Sequence, residues 1–185
     1  MWKITNPDAE AVLYDELAQK SLARYFAATQ NKKTAKFLIA KRLPARFDPN
    51  DTLETLWKKH EKSTEDFHKI EQELDTGKEP NELPKPGKSY FDLKIEIANR
   101  IIRQCHFCSR TCGVNRLTGE LGYCKCGDSL TVSNIFAHVG EEPELVPSGT
   151  IFTLGCTIRC RHCQNWAISQ WMEPGTECKP KDMAR

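Results

Sequence analysis

The sequence predicts a mixed α+β or α/β protein, and three features of its 185 residues lead to this class. Apolar residues recur at helical spacing in the first half of the chain. Two β-branched segments in the second half, SLTVSNIFAHVG and SGTIFTLG, predict strands. All nine cysteines lie at or after residue 105, so the chain divides into a thiol-free half and a thiol-rich half. We expect a helical region over 1–75 and a linker over 76–90. A Cys-rich metal-binding module over 91–148 and the start of a further domain over 149–185 follow.

The composition is that of a globular protein on the polar side, with 39% hydrophobic and 28% charged residues. A net charge of +2 provides no overall attraction to nucleic acid or to an anionic membrane. No apolar run approaches the roughly 18 residues that span a bilayer. The N-terminal stretch MWKITNPDAEAVLYDELAQK carries acids where a signal peptide has an uninterrupted apolar segment. We therefore expect a cytoplasmic protein that binds neither membranes nor nucleic acid.

The first predicted helix begins near Asn6, a possible N-cap, with Pro7 at the first helical position. Its apolar residues recur at roughly helical spacing, at Tyr14, Leu17, Leu22, Tyr25 and Phe26. This pattern predicts a helix that forms part of a small bundle or an extended arm.

Two further helices are predicted before the linker. A short basic helix covers 34–43 and ends at Pro44, because proline cannot continue a helix. Asp51 followed by Glu54 resembles a capping box and opens a longer helix. The apolar stripe of that helix is formed by Leu53, Leu56, Trp57, Phe67, Ile70 and Leu74. A basic cluster near the short helix is interpreted as a solvated face rather than as a nucleic-acid site; it comprises Lys32, Lys33, Lys36, Lys41, Arg42 and Arg46.

The segment 76–88 contains three prolines and two glycines and little to bury, which indicates a linker or a surface loop. After it, YFDLKIEIANRIIRQC predicts a helix with Leu93, Ile97 and Ile101 on one side, although a strand competes over its first half. The strand SGTIFTLG then places Cys156 at a glycine turn.

Three cysteines, Cys156, Cys160 and Cys163, form the pattern C-x3-C-x2-C within GCTIRCRHCQN. One interpretation is a helix whose small apolar side chains face a core. The preceding strand and Gly155 favour a tight loop instead, from which three thiolates hold three irons of a cubane cluster and leave the fourth iron open. A closed zinc site is the alternative, with His162 or Cys178 as the fourth ligand.

An earlier group, CHFCSRTCGVNRLTGELGYCKCG, has the spacing C-x2-C-x3-C-x11-C-x-C. In a reducing compartment such a pattern indicates metal or cluster ligands rather than disulfides. The predicted ligands are Cys105, Cys108, Cys112 and Cys124, with Cys126 spare or substituting. Four thiolates suit zinc and an iron–sulfur cluster alike.

The C-x3-C-x2-C motif after a strand resembles the signature of radical S-adenosylmethionine (radical SAM) enzymes. The continuation CQNWAISQ is similar to the branch related to pyruvate formate-lyase activating enzymes, and CGVNR and GELGYC precede the motif in that branch. The resemblance covers roughly 105–175. It implies a [4Fe–4S] cluster on the three cysteines of the motif, with S-adenosylmethionine bound at the open iron and reductively cleaved to a 5'-deoxyadenosyl radical. It also implies that His162 lies beside the adenine, and it favours a second iron–sulfur cluster over zinc at the earlier group.

The resemblance further implies an electron donor such as flavodoxin or ferredoxin, and a protein or small-molecule substrate that the residues do not identify. The family fold is a β/α barrel, for which about 200 residues or more are needed. Only 35 residues follow Thr150, so we expect the first β/α unit of an incomplete barrel. The chain is then either an N-terminal fragment or the product of a gene that is broken before the barrel closes. Two other classes stay open. One is a non-catalytic double zinc module that binds a protein or nucleic acid, and the other is a ferredoxin-like electron carrier.

Overall fold

The protein is a mixed α+β structure in a computed structural model that describes residues 7–78, 80–146 and 148–183. The chain divides into two compact units. One unit spans Gln19–Arg100, and the other combines the described residues up to Ala18 with those from Ile101 onward. The α-helices are α1 (Pro7–Ala11), α2 (Glu16–Ser21), α3 (Ala23–Thr29), α4 (Lys36–Arg42), α5 (Leu53–Asp75), α6 (Tyr90–Arg103) and α7 (Pro180–Met183). The strands are β1 (Leu130–His138), β2 (Ser148–Thr153) and β3 (Thr176–Cys178). Short 3-10 turns cover Val12–Tyr14, Pro80–Glu82, Arg116–Thr118 and Pro143–Leu145, and a π-helical turn covers Ala167–Trp171.

The N-terminal apolar pattern does not give one continuous helix. Asp15 is extended, with ψ 116°, and its Oδ1 accepts a hydrogen bond from the Ala18 N–H at 2.6 Å, so a new helix begins there. Tyr14 and Leu17 of the predicted stripe are 77% and 73% exposed, whereas Phe26 is buried. The predicted N-cap Asn6 lies outside the described residues.

The N-cap of the long helix α5 lies one residue later than predicted. Thr52, not Asp51, is the N-cap, because its side chain accepts a hydrogen bond from the Thr55 N–H at 3.2 Å. Asp51 instead accepts a hydrogen bond from the Asp48 N–H and pairs with Lys59. The capping-box prediction was therefore wrong by one position, although the helix itself is confirmed.

The core of the Gln19–Arg100 unit contains Ile39, Leu56 and Leu93, none of which is exposed to solvent. The helix α6 is confirmed, since Leu93, Ile97 and Ile101 are all buried. The described residues of the segment predicted as a linker, 76–78 and 80–90, belong to this unit, and most of them are exposed. Leu83 and Tyr90 are buried, and the Tyr90 N–H donates to the Leu43 carbonyl at 2.8 Å. The segment therefore buries two large side chains, which its proline and glycine content did not indicate.

Two residues of the basic cluster, Lys33 and Lys36, form ion pairs within the unit. Lys33 pairs with Asp75 at 2.9 Å and Lys36 with Glu71 at 3.4 Å, while Arg24 contacts both carboxylates. For these two residues the contacts favour an ordinary helix face, because a cation that is paired with a carboxylate has less charge to offer to a phosphate.

The three-stranded sheet has the order β2-β1-β3 and is antiparallel throughout. Opposite residues of β1 and β2 include Ile135 and Ile151, and the rings of Phe136 and Phe152 stack at 5.5 Å. The strands β1 and β2 confirm the two predicted strands, and β3 was not predicted. The described residues contain no β/α barrel. Within them, no helix has both the length and the apolarity needed to cross a bilayer.

Candidate metal centre at two cysteine loops

The three-cysteine motif lies on a loop that leaves the sheet directly. After β2, the Leu154 N–H donates to the Thr131 carbonyl at 3.0 Å, and the Gly155 N–H donates to the Ile168 carbonyl at 2.9 Å. Gly155 has φ +88°, a conformation that glycine adopts without strain. The residues 155–165 contain no α-helix. The interpretation of the three cysteines as one face of a helix is therefore wrong.

The three sulfurs of this loop differ in their surroundings. Cys156 Sγ accepts hydrogen bonds from the Ile158 and Arg159 N–H groups, both at 3.4 Å. The N–H groups of Arg159 and Ile158 hold the pKa of the Cys156 thiol below its usual value, because they stabilise the thiolate. Cys163 Sγ lies 3.3 Å from Ser169 Oγ. Cys160 is exposed.

The π-helical turn that contains Gln170 also contacts the loop that carries Cys160. The Gln170 amide donates to the Cys160 carbonyl at 2.6 Å. His162, predicted to lie beside an adenine, is exposed on the same loop.

The earlier cysteine group lies on a loop that is closed by two backbone hydrogen bonds. The Cys105 N–H donates to the Val114 carbonyl, and the Gly113 N–H donates to the Cys105 carbonyl, both at 2.9 Å. This pairing places Cys105, Cys108 and Cys112 on one short loop. Cys112 Sγ accepts the backbone N–H of Tyr123 at 3.4 Å, which ties the loop to the turn that carries Cys124.

Arg116 lies among the sulfurs of this group and is only 6% exposed. Its Nε donates to Cys105 Sγ at 3.0 Å and its Nη2 donates to Cys124 Sγ at 3.2 Å. Its Nη1 donates to the Cys126 carbonyl. Sequence reasoning missed this residue, since CGVNR shows an arginine but nothing in a single sequence shows that it is buried.

The pKa values of Arg116, Cys124 and Cys126 all depart from their usual values. The hydrogen bond to Cys105 raises the pKa of Arg116 above its usual value. The pKa of Cys124 is lowered from its usual value. Burial acts to raise this pKa, but hydrogen bonds from the Cys126 backbone and from Arg116 outweigh burial. Burial and the neighbouring Cys124 raise the pKa of Cys126 to about 11.

The two cysteine loops adjoin each other. Cys126 Sγ lies 3.5 Å from the Leu154 carbonyl oxygen, just before the three-cysteine loop. The ring of Tyr123 has the Arg110 guanidinium at 4.0 Å and the Arg159 guanidinium at 5.3 Å from its centroid. Arg110 Nε also approaches the Thr157 carbonyl at 3.4 Å. The turn at 122–126 therefore contacts both loops.

The donor atoms suit a soft metal or an iron–sulfur cluster. All nine cysteines are free thiols, and the Cys156 and Cys105 sulfurs already accept N–H donors of the kind that support metal-bound thiolates. In the described part of the chain, no three histidine, cysteine or acidic side chains are grouped as the ligands of one metal ion. The structure thus brings the two loops together without converging the predicted ligands of either loop.

The chain is similar to two proteins of Methanocaldococcus jannaschii that bear the names uncharacterized protein MJ0674 and uncharacterized protein MJ0808. It is 40% identical to the first over 172 residues, which cover 89% of this chain and 48% of that protein. It is 31% identical to the second over 84 residues, which cover 37% of this chain and 25% of that protein. The chain therefore spans about half the length of the first relative. No protein-family model and no solved structure matches the chain.

Proposed function

We propose that this chain is part of a radical SAM protein of the type related to pyruvate formate-lyase activating enzymes. The observation that carries the proposal is the position of Cys156, Cys160 and Cys163 on a non-helical loop directly after β2, beyond the glycine turn at Gly155. In this proposal β2 is the first strand of the radical SAM domain. The free thiols and the two N–H groups on Cys156 Sγ further support it.

The three cysteines of this loop would hold a [4Fe–4S] cluster. When bound, that cluster supplies one electron to S-adenosylmethionine, whose carbon–sulfur bond breaks to give methionine and a 5'-deoxyadenosyl radical. The chain contributes position and electrostatics. The N–H groups of Ile158 and Arg159 stabilise the Cys156 thiolate, and the Gln170 amide fixes the backbone at Cys160. His162 would pack beside the adenine, from an exposed position that leaves its ring free to stack.

The earlier group would hold a second metal centre on Cys105, Cys108, Cys112 and Cys124, either a second cluster or zinc. Cys124 Sγ accepts an N–H from Arg116, a contact that stabilises a thiolate, whereas Cys126 Sγ lies 3.5 Å from the carbonyl oxygens of Cys124 and Leu154, which favour a protonated thiol. These contacts support Cys124 as the fourth ligand, because metals bind the thiolate form. The substrate is a protein or a small molecule, and flavodoxin or ferredoxin is the proposed electron donor.

The test is anaerobic reconstitution of the purified chain with iron and sulfide, followed by addition of S-adenosylmethionine. We expect a brown protein whose reduced-cluster electron paramagnetic resonance spectrum changes on addition, because S-adenosylmethionine binds directly to the open iron. Tight, stoichiometric zinc at both groups without such a response would replace the proposal with a double zinc module. Two reducible clusters, both indifferent to S-adenosylmethionine, would replace it with an electron carrier.

A further inference from the structure

The guanidinium of Arg116 donates to two sulfur atoms, Cys105 Sγ at 3.0 Å and Cys124 Sγ at 3.2 Å. The same guanidinium and the Cys112 sulfur both face Gly122. A Cβ added to Gly122 would lie 2.9 Å from Arg116 Nη2 and 3.0 Å from Cys112 Sγ. The missing side chain at Gly122 therefore leaves the space in which the guanidinium and the Cys112 sulfur approach each other.

A buried guanidinium needs an anionic partner, because an unpaired charge is costly to remove from water. The Arg116 N–H groups donate to the sulfurs of Cys105 and Cys124 and to the Cys126 carbonyl, and of these three acceptors only the two thiols can become anionic. The planar fork of an arginine carries five N–H donors in fixed directions, so one side chain can donate to two sulfurs and a carbonyl at once.

We infer that Arg116 is a positioning residue of the earlier metal site, where it donates N–H···S hydrogen bonds to the metal-binding sulfurs of Cys105 and Cys124. This inference rests on the second metal centre of the proposed function and not on the binding of S-adenosylmethionine. A divalent metal with four thiolates carries a net charge of about −2, and the guanidinium offsets part of it. The Nη1 bond to the Cys126 carbonyl fixes the guanidinium in the plane that reaches both sulfurs.

The experiment uses the full chain with Cys156, Cys160 and Cys163 replaced by serine, so that only the earlier group binds metal. Zinc is the probe, and its affinity is measured by competition with a chromophoric chelator. Arg116→Gln removes the charge and the fork, and we expect zinc to bind about 10- to 100-fold more weakly, the usual loss when a hydrogen-bond partner of a metal ligand is removed. Arg103→Gln is the matched control, because Arg103 is exposed, and it should leave the affinity unchanged.

Arg116→Lys keeps the charge but replaces the planar fork with an ammonium group on a flexible stem, so we expect an affinity between those of the parent and Arg116→Gln. It also provides a test if Arg116→Gln does not fold, as judged by circular dichroism. Parent-like affinity in either folded variant would overturn the inference. Tighter binding in Arg116→Gln would also overturn it, because it would show that the guanidinium competes with the metal for the sulfurs. If the parent chain binds no zinc, the earlier metal site does not exist and the inference fails. The response to S-adenosylmethionine is measured on the three-cysteine loop, so that part of the proposed function would be unaffected by this result.

Discussion

Gly155 and Cys126 are in direct contact although 28 residues separate them in the chain. A Cβ added to Gly155 would overlap Cys126 Sγ and would lie 2.5 Å from the Cys124 carbonyl oxygen. The close approach is possible only because residue 155 has no side chain. The start of the three-cysteine loop is thereby packed against the turn of the earlier cysteine group.

Gly155→Ala should separate these two segments. The substitution adds a methyl group where there is no space, at a φ of +88° that costs a non-glycine residue about 1–3 kcal/mol. We expect a loss of at least that size in the free energy of unfolding in urea, together with less iron at the three-cysteine loop after reconstitution. Gly149→Ala in β2 is the control, because a Cβ there meets no atom within 4 Å. Equal stability and iron content in the two variants would show that the contact has no structural role.

Cys160→Ala should remove the response to S-adenosylmethionine and leave the metal of the earlier group in place. Cys160 is exposed, so the substitution removes a ligand without opening a cavity in a core. Electron paramagnetic resonance of the reconstituted chain with and without S-adenosylmethionine checks the first outcome, and metal analysis checks the second. Cys178→Ala, at the end of β3, serves as the control and should keep the response. A response that persists in Cys160→Ala would remove Cys160 from the ligand set.

The helices α5 and α6 and the strands β1 and β2 were predictable because their apolar spacing is a local property of the sequence. The break between helices at Asp15 was not predictable from the sequence, because the apolar residues keep helical spacing on both sides of it. The break arises because the Asp15 side chain caps a new helix. The contact between Gly155 and Cys126 was also hidden, because it depends on the tertiary fold.

The candidate site also has a part that the sequence predicted and a part that it did not. Cysteine spacing gave the predicted ligands, since ligand motifs are local in sequence, but it did not reveal Arg116. An arginine in a polar segment is usually solvated, and only the fold shows that this one is buried and donates to two sulfurs.

Leu93→Ala should strongly destabilise the Gln19–Arg100 unit. Leu93 is fully buried, and replacing a buried leucine with alanine costs about 2–5 kcal/mol through lost burial and the cavity that remains. Urea unfolding followed by circular dichroism measures the change. Ile95→Ala on the same helix is the control, because Ile95 is 46% exposed and should cost much less. Similar losses for the two variants would contradict the assignment of Leu93 to the core.

The stability of the chain should fall as the pH drops below about 6.5, and His60 should contribute to that fall. Burial, followed by the charge of Lys94, lowers the pKa of His60 below its ordinary value of 6.5. Its Nε2 lies 3.0 Å from the Tyr90 hydroxyl and 3.0 Å from Lys94 Nζ, and both contacts favour the neutral ring as an acceptor. Between the lowered pKa and 6.5, the unfolded chain binds more protons than the folded chain, so the free energy of unfolding decreases as the pH falls.

Urea unfolding of the wild-type chain and of His60→Gln at pH 7.5 and pH 5.5 measures this contribution, with both pH values chosen about one pH unit from the ordinary pKa of histidine. The wild-type chain should lose more stability between the two pH values than His60→Gln, because glutamine cannot take up the proton. His68→Gln is the matched control, since His68 is exposed on the same helix and its ring lies 3.6 Å from Glu71 rather than beside Tyr90 and Lys94. An equal loss in His60→Gln and in the wild-type chain would assign the pH dependence to other groups and contradict the role of His60.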